Sequence, residues 1–254
     1  MKILFGPAGL GAPASEGLEK CKKLGLEAAE VEFTYGVRMT NAAAKEIGEL
    51  AKKLNIKLSV HAPYYINLSS KEKAKISASK LRILQSCERA HYLGASQVVF
   101  HAGFYQGIPE EEVFQKIKQA IIDLQKEIKH NGWNVKLAPE TTGKKSQFSG
   151  LEDLLRLKKE TGCDICVDFA HLKARNNGII DYDDIMKKLH HLGHIHAHFS
   201  GIEFTEKGER RHILVKEKDA KELIHYLKKY NISATIINES PDTFGDAVKM
   251  KRLL

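Results

Sequence analysis

The sequence predicts an α/β fold, a (β/α)8 TIM barrel that forms a single domain over residues 1–254. Three observations predict it: strand-like and helix-like segments alternate along the whole chain, there are eight of each, and the length is usual for this barrel. No Gly/Ser-rich linker or charge run divides the chain. A doubly wound open sheet is the competing architecture, but the glycine-rich stretch Gly6–Gly11 is interrupted by Pro7 and matches no nucleotide-binding fingerprint.

Short apolar runs bounded by turn residues identify the strands. The predicted strands are Lys2–Phe5, Ala28–Phe33, Lys57–His61, Gln97–His101, Val135–Glu140, Ile165–Asp168, Ile195–Phe199 and Ala234–Asn238. The third strand ends at His61 because Pro63 cannot continue a hydrogen-bonded ladder.

Helical segments separate the strands, with apolar residues three or four positions apart. The first predicted helix begins at Ser15 as an N-cap, and the fourth begins at Pro109. The other six are Asn41–Leu54, Ser70–Leu93, Leu151–Glu160, Tyr182–Leu189, Glu217–Tyr230 and Phe244–Leu253. Local signals support these ends. Three glutamates follow Pro109 and suit the positive end of a helix dipole. Gly162 follows the predicted helix Leu151–Glu160 and ends it.

The composition is that of an ordinary globular chain, with 43% hydrophobic and 28% charged residues. No apolar run is long enough to cross a bilayer, and Met1–Gly6 is too short for a signal peptide, so we expect a cytoplasmic protein with no membrane partner. The formal net charge of +8 permits a phosphate-rich partner without proving one.

The pair Cys163 and Cys166 has the spacing of a zinc or redox motif. Cys166, however, lies in a predicted buried strand, and residues three apart on a strand point to opposite faces. We therefore interpret both as free cysteines of the core.

Acidic or imidazole side chains stand at the ends of seven of the eight predicted strands. They are Glu32, His61, His101, Glu140, Asp168, His196 and Glu239, with His171 shortly after the sixth strand. In a TIM barrel these ends converge on one face, where active sites lie. A single histidine at such a place is usually structural, but the collection is unusual.

Carboxylates brought together repel one another unless a cation lies among them. Imidazole nitrogen and carboxylate oxygen without thiolate suit Zn²⁺ or Mn²⁺, and the number of ligands suggests two or three ions. Paired metals about 3.5–4 Å apart activate water and stabilise the leaving oxygen of a phosphodiester. The residues alone therefore favour metal-dependent hydrolysis.

Six segments resemble one known family in their order along the chain. They are Ser59–Leu68 (SVHAPYYINL), Phe100–Gly103 (FHAG), Pro139–Gly143 (PETTG), Val167–His171 (VDFAH), His196–Ser200 (HAHFS) and Asn238–Pro241 (NESP). Together they resemble the endonuclease IV family, the class II apurinic/apyrimidinic endonucleases built on a xylose-isomerase-like barrel. The chain is compact and most resembles archaeal members.

The resemblance implies two or three zinc ions per chain. The first ion is assigned to His61, His101 and Glu140. The second is assigned to Glu140 as bridging ligand, with Asp168, His196 and Glu239. In catalysis, Glu140 is expected to bridge the ions, and Glu239 to act as both ligand and orienter of water.

A third ion is assigned to His171, and the family completes this site with an Asp-x-His motif after the seventh strand. Here His212 matches the histidine, but Arg210 stands where the aspartate is expected. Glu209 substitutes for it if the register shifts by one residue.

The resemblance also implies contact with double-stranded DNA at abasic sites. Arg38 and Tyr64 match the loops that open the duplex, where an aromatic ring replaces lost stacking. Lys173, Arg175, Arg210 and Arg211 are expected to contact phosphates.

The favoured prediction is a monomeric AP endonuclease for DNA repair that cleaves 5′ to an abasic site and leaves a 3′-hydroxyl. A single-metal sugar or keto-acid isomerase on the same barrel is one alternative. A binder of abasic DNA that does not cleave is another.

Overall fold

The computed structural model describes residues 1–254, and its elements alternate along the chain as the sequence predicts. The strands are β1 (Ile3–Pro7), β2 (Ala28–Glu32), β3 (Lys57–His61), β4 (Gln97–Phe100), β5 (Lys136–Pro139), β6 (Cys166–Asp168), β7 (His194–Phe199), β8 (Gly201–Thr205), β9 (Gly208–Ile213) and β10 (Ser233–Asn238). The helices are α1 (Ala14–Lys23), α2 (Asn41–Leu54), α3 (Lys73–Leu93), α4 (Glu110–His130), α5 (Leu151–Thr161), α6 (Phe169–Arg175), α7 (Tyr182–Leu189), α8 (Glu217–Lys229) and α9 (Thr243–Lys251).

Eight parallel strands close into a barrel, which confirms the predicted fold. Two four-stranded sheets have the orders β1-β10-β7-β6 and β2-β3-β4-β5. Parallel bridges from Ala8 to Glu30 and from Glu140 to Cys166 join the sheets at both seams. Strands β8 and β9 form a separate antiparallel hairpin beyond the end of β7.

The hairpin and helix α6 are elements that the sequence prediction missed. The hairpin strands read GIEFT and GERRHI and contain only three large apolar residues, Ile202, Phe204 and Ile213. Helix α6 follows β6 without a loop because the Asp168 side chain caps it, accepting a hydrogen bond from the His171 amide.

Helix α3 begins at Lys73 rather than at the predicted Ser70. Ser70 Oγ instead accepts a hydrogen bond from the Glu72 amide at 3.1 Å, which stabilises a turn before the helix.

Alternation along the strands divides each one between two environments. Val60, Phe100 and Val167 face outward into the large apolar core under the helices. Their neighbours face the barrel interior, which is polar toward the carboxyl ends. Gly6 allows β1 to approach β2 closely, because a Cβ there would lie 2.0 Å from the carbonyl oxygen of Ala28.

All four cysteines are buried free thiols, which agrees with the prediction made for Cys163 and Cys166. Cys163 packs in the outer core, whereas Cys166 packs with Val99 and Ala138. None of the helices combines the length and apolar character that a membrane span requires.

Candidate metal centre

The strand register brings most of the predicted strand-end residues to one level of the barrel. Glu32 is opposite His61 in the β2–β3 pair, and Asp168 is opposite His198 in the β6–β7 pair. His61, Asp168 and His198 are buried. Glu32 and His61 line a cavity of about 330 Å³ at the carboxyl ends of the strands, whereas Asp168 and His198 are fully buried and do not line it.

Glu140 lies at the centre of this level, fully buried, and its two oxygens face different histidines. Oε2 lies 3.2 Å from His61 Nε2 and 3.1 Å from His101 Nε2. Oε1 lies 3.1 Å from His198 Nδ1 and 3.3 Å from His171 Nδ1. This is the arrangement of a carboxylate placed between two groups of potential ligands.

The first group matches the set expected from the sequence. Potential ligand atoms of His61, His101 and Glu140 all lie within 4.8 Å of one another. A donor set of two imidazoles and one carboxylate is suitable for a divalent first-row metal.

The second group contains His198 and not the predicted His196, which corrects that assignment. Potential ligand atoms of Glu140, Asp168, His198 and Glu239 lie within 4.8 Å of one another. Both histidines point inward, but His196 is two residues earlier in β7 and therefore lies deeper. Its Nε2 contacts Glu30 Oε2 at 3.1 Å instead.

A third group consists of Asp168, His171, His212 and Glu239, whose potential ligand atoms lie within 4.8 Å of one another; the last three residues line the cavity. The two oxygens of Asp168 differ in their contacts. Oδ1 caps helix α6, whereas Oδ2 has no hydrogen-bond partner.

Glu209 reaches this third group through a β-bulge. Arg211 pairs with Glu203 but Glu209 pairs with Phe204, so Arg210 is an extra residue on β9. Glu209 Oε2 lies 3.4 Å from His171 Nε2. Gly143 makes room for it, since a Cβ there would lie 2.6 Å from the Glu209 Cβ.

Each of four histidines uses one ring nitrogen for an outer contact and turns the other toward a carboxylate of the site. Nδ1 of His61 hydrogen-bonds the carbonyl of Ala62 at 2.8 Å, and Nδ1 of His171 bonds that of Thr141 at 2.9 Å. His212 Nδ1 contacts Ser200 Oγ, which itself donates to a carbonyl. His198 is the fourth, and its outer Nε2 lies 2.9 Å from Glu30 Oε1. Metal-ligating histidines are oriented in this way.

The pKa values follow from burial and from opposite charges held close together. Burial raises the pKa of Glu32 to about 8 and that of Asp168 to about 6. Burial alone would raise the pKa of Glu140, but the charges of His198 and His101 hold it well below its usual range. Burial opposes protonation of His61, yet Glu32 and Glu140 outweigh it and raise its pKa to about 10.

The donor set fits divalent cations. The carboxylates at this level form ion pairs with histidines, and no lysine or arginine pairs with Glu140, Asp168 or Glu239. Buried oxygens of Glu32 and Asp168 lack hydrogen-bond partners. Such a concentration of carboxylate is expected to attract a cation.

Tyr64 stands at the edge of the cavity with its side chain 57% exposed. Its amide donates to the carbonyl of Thr34, so the loops after β2 and β3 are joined. Arg38 is exposed on the first of these loops. Both residues are therefore accessible to a partner at the cavity mouth.

The other predicted phosphate contacts are less available. Lys173 pairs with Asp219 at 2.9 Å in a separate cavity between α6 and α8, and Arg175 donates to the carbonyls of Lys144 and Gln147. Both therefore have structural contacts within the chain, and their contact with phosphate stays a prediction. Arg210 and Arg211 pair with Glu203 but remain exposed on the hairpin.

Four site residues were missed by sequence reasoning: Glu30, Lys144, Gln147 and His198. Lys144 and Gln147 line the cavity on the loop after β5. Lys144 directly follows the Pro139–Gly143 motif, and that position was the available signal. His198 stood within a quoted motif, while Glu30 had no signal beyond its place in a buried strand.

The fold and the cavity together define a TIM barrel with a potential metal-binding cluster at its rim. The chain belongs to the xylose isomerase-like TIM barrel family, which matches residues 18–252.

Two relatives with similar sequences differ in how much of the chain they match. An uncharacterised protein of Methanocaldococcus jannaschii is 34% identical, over 98% of this chain and 96% of its own. A probable endonuclease 4 of Mycobacterium leprae is 28% identical over 56% of each chain, so that match spans about half of the relative.

Two solved structures share the fold at low identity. A D-tagatose 3-epimerase-like protein has a TM-score of 0.77 at 20% identity, covering 100% of this chain and 95% of its own. Endonuclease IV from Thermus thermophilus has a TM-score of 0.73 at 18% identity, covering 99% and 98%. At these identities the likeness shows the fold alone.

Proposed function

We propose that the chain is a metal-dependent endonuclease that hydrolyses DNA 5′ to abasic sites and leaves a 3′-hydroxyl. The observation that carries this proposal is the position of Glu140, whose two oxygens face separate groups of histidines. An isomerase needs one divalent ion, whereas three ligand groups around shared carboxylates favour two or three. The partial match to a probable endonuclease 4 supports the same conclusion.

The residues present suit Zn²⁺, with Mn²⁺ as the alternative. His61, His101 and Glu140 would hold one ion, and Glu140, Asp168, His198 and Glu239 a second. His171, His212 and Glu209 would complete a third with Asp168 or Glu239. When bound, such ions supply Lewis acidity for an attacking water and for the leaving oxygen.

The protein side of the reaction is positioning. Glu239 lies 3.0 Å from His198 Nδ1, and its other oxygen lies 3.8 Å from His212 Nε2, at the cavity surface. From there its carboxylate orients a water molecule and accepts its proton. Lys144, which lines the cavity, is placed to pair with the scissile phosphate.

Recognition of the lesion falls to the loops after β2 and β3. The exposed ring of Tyr64 stacks where the base is missing, and Arg38 occupies the adjacent part of the duplex. Arg210 and Arg211 on the hairpin contact the phosphate backbone. The monomeric state and the cytoplasmic location stay predictions.

The decisive experiment combines elemental analysis with a nicking assay. The substrate is a duplex with one tetrahydrofuran abasic analogue, which resists β-elimination, so that cleavage reports hydrolysis. We expect at least two metal ions per chain and a product that a polymerase extends from its 3′ end. Glu140→Gln is expected to abolish nicking, and a variant that nicks at the parent rate would contradict the assignment.

Two other outcomes identify the alternatives. One metal per chain with interconversion of free keto-sugars and no nicking indicates a sugar isomerase. Tight binding of the abasic duplex without nicking, after zinc reconstitution, indicates a non-cleaving binder.

A further inference from the structure

Glu30 is a fully buried carboxylate one level below the rim of the barrel. It lies on β2 two residues before Glu32, so both side chains point inward, and Ser59 is its partner across the β2–β3 pair. Burying a carboxylate is unfavourable unless it is paired and hydrogen-bonded. Glu30 therefore needs a reason to be in the barrel interior.

The contacts of Glu30 divide between its two oxygens. Oε2 accepts hydrogen bonds from Ser59 Oγ at 2.6 Å and from His196 Nε2 at 3.1 Å. Oε1 lies 2.9 Å from His198 Nε2. All ion pairs of the Glu30 carboxylate are with histidines. Ser59 and His196 thus hold the carboxylate in place while its free oxygen faces His198.

The Oε1 contact lies off the line of the ring N–H. His198 Nε2 and Glu30 Oε1 are both buried, and neither has a hydrogen-bond partner of good geometry. At 2.9 Å they are within hydrogen-bonding distance of each other, so each is the nearby group that can satisfy the other once the ring N–H points at the oxygen.

We infer that Glu30 is the positioning residue of His198 in the metal centre. By accepting the Nε2 proton, its carboxylate keeps Nδ1 unprotonated and directed at Glu140 and Glu239, which lie 3.1 and 3.0 Å away. This inference rests on the proposed metal centre and deepens it. Among the four oriented histidines, His198 is the one whose outer nitrogen has a carboxylate as its nearest partner; the nearest partners of the others are carbonyls or a serine.

A carboxylate partner makes the imidazole a stronger ligand than a carbonyl does, because it stabilises positive charge on the ring. His198 stands beside Asp168 and Glu239 in the most acidic part of the centre. Glu30 therefore selects the tautomer and increases the basicity of the histidine there.

The test compares Glu30→Gln with Ser59→Ala as the matched control. Ser59→Ala removes one contact to the same carboxylate but leaves Oε1 and its charge. Zinc affinity is measured by competition with a chromophoric chelator, and folding by circular dichroism. We expect Glu30→Gln to weaken zinc binding by about 10–100-fold and Ser59→Ala by less than about threefold.

A second measurement keeps the inference testable if Glu30→Gln fails to fold. Nitrogen-15 NMR of the zinc-loaded parent protein reports which nitrogen of His198 carries the proton. A proton on Nε2 supports the inference. A proton on Nδ1, or equal zinc affinities for the two variants, overturns it.

The two proposals fail in different ways. Unchanged zinc affinity in Glu30→Gln, with a parent protein that nicks abasic DNA, refutes the role of Glu30 alone. Weakened zinc affinity in Glu30→Gln, with a parent protein that never nicks abasic DNA, refutes the proposed function and leaves the role of Glu30 standing.

Discussion

Glu209 and His212 point to the same side of β9 although they are three positions apart, and Glu209 Oε1 lies 3.9 Å from His212 Nε2. On a regular strand this spacing places side chains on opposite faces. The extra residue Arg210 reverses the alternation once, so the two side chains converge. A Glu-x-x-His sequence with a bulge thereby reproduces what Asp-x-His provides on a regular strand.

The bulge predicts that Glu209 is needed for the third metal ion. Glu209→Gln is expected to lower the zinc content by about one ion and to reduce nicking by about 10–100-fold, since it removes a charged ligand. Metal content is measured after dialysis at fixed free zinc.

Glu206→Gln is the control, because Glu206 lies in the exposed turn between β8 and β9. A Glu209→Gln protein with full metal content and full activity would show that Glu209 does not act as a ligand.

The two inward histidines of β7 are predicted to differ in importance. His198→Gln removes a nitrogen between Glu140 and Glu239 and should reduce zinc affinity by more than about 100-fold. His196→Gln should have an effect at least about ten times smaller, because His196 Nε2 contacts Glu30 Oε2 and forms no ion pair with Glu140, Asp168 or Glu239. Isothermal titration with zinc compares them; the opposite ranking would restore His196 as the ligand.

Tyr64 is predicted to act on the lesion and not on the metal. Tyr64→Ala should weaken binding of abasic duplex by about 1–3 kcal/mol, the contribution of one stacking contact. Its zinc content should remain that of the parent. Fluorescence anisotropy measures the binding.

Tyr92→Ala is the control, because this tyrosine lies near the end of helix α3 and is 38% exposed. Equal losses in the two variants would argue against a specific stacking role.

Salt dependence separates the hairpin arginines from Arg175. Arg210→Gln should reduce the slope of log affinity against log salt by about 1, because one phosphate contact is lost. Arg175→Gln should leave the slope unchanged and instead destabilise the loop after β5, whose carbonyls it binds. Affinities at four salt concentrations and urea unfolding curves measure both effects. A reduced slope for Arg175→Gln would show that Arg175 contacts phosphate as well.

Stability in the presence of a chelator is predicted to fall as pH rises from about 6.5 to 8. Glu32 holds its proton in the folded state up to a pKa of about 8, against 4.5 as its ordinary value. The pKa of His61 is raised from 6.5 to about 10. Its charge therefore stabilises the fold fully below pH 6.5, and this stabilisation is lost progressively as pH rises from 6.5 to about 10. Between pH 6.5 and 8 the folded state binds more protons than the unfolded state. Each additional bound proton makes the free energy of unfolding fall by about 1.4 kcal/mol per pH unit.

Urea unfolding at three pH values tests this slope. Glu32→Gln should make it shallower, since one titrating group is removed. Stability that rises over the same window would mean that these groups are not held as the structure indicates.

Much of the fold was predictable because it depends on local patterns. Helix α2 and strand β3 have their predicted bounds, since periodicity and turn residues lie within each segment. The hairpin was missed because its strands carry few apolar residues. Helix α6 was missed because a single side chain, Asp168, both ends the site strand and caps the helix.

The candidate site was predictable at the level of residue type and chain position. His61, His101 and Glu140 meet as expected, because each lies at a strand end and parallel strands end on one face. Glu30 was missed because nothing in a buried strand distinguishes a carboxylate that supports a site from one that belongs to it.

The sequence by itself determined the barrel and the kinds of ligand at its rim, because both follow from the order of short segments. Only the tertiary structure decided which residues share one level. His196 and His198 face the same way, and their depth depends on the register with β6, where Asp168 pairs with His198. Likewise, the bulge at Arg210 brings Glu209 to the cavity. Register and bulges arise between strands, so no single segment contains them.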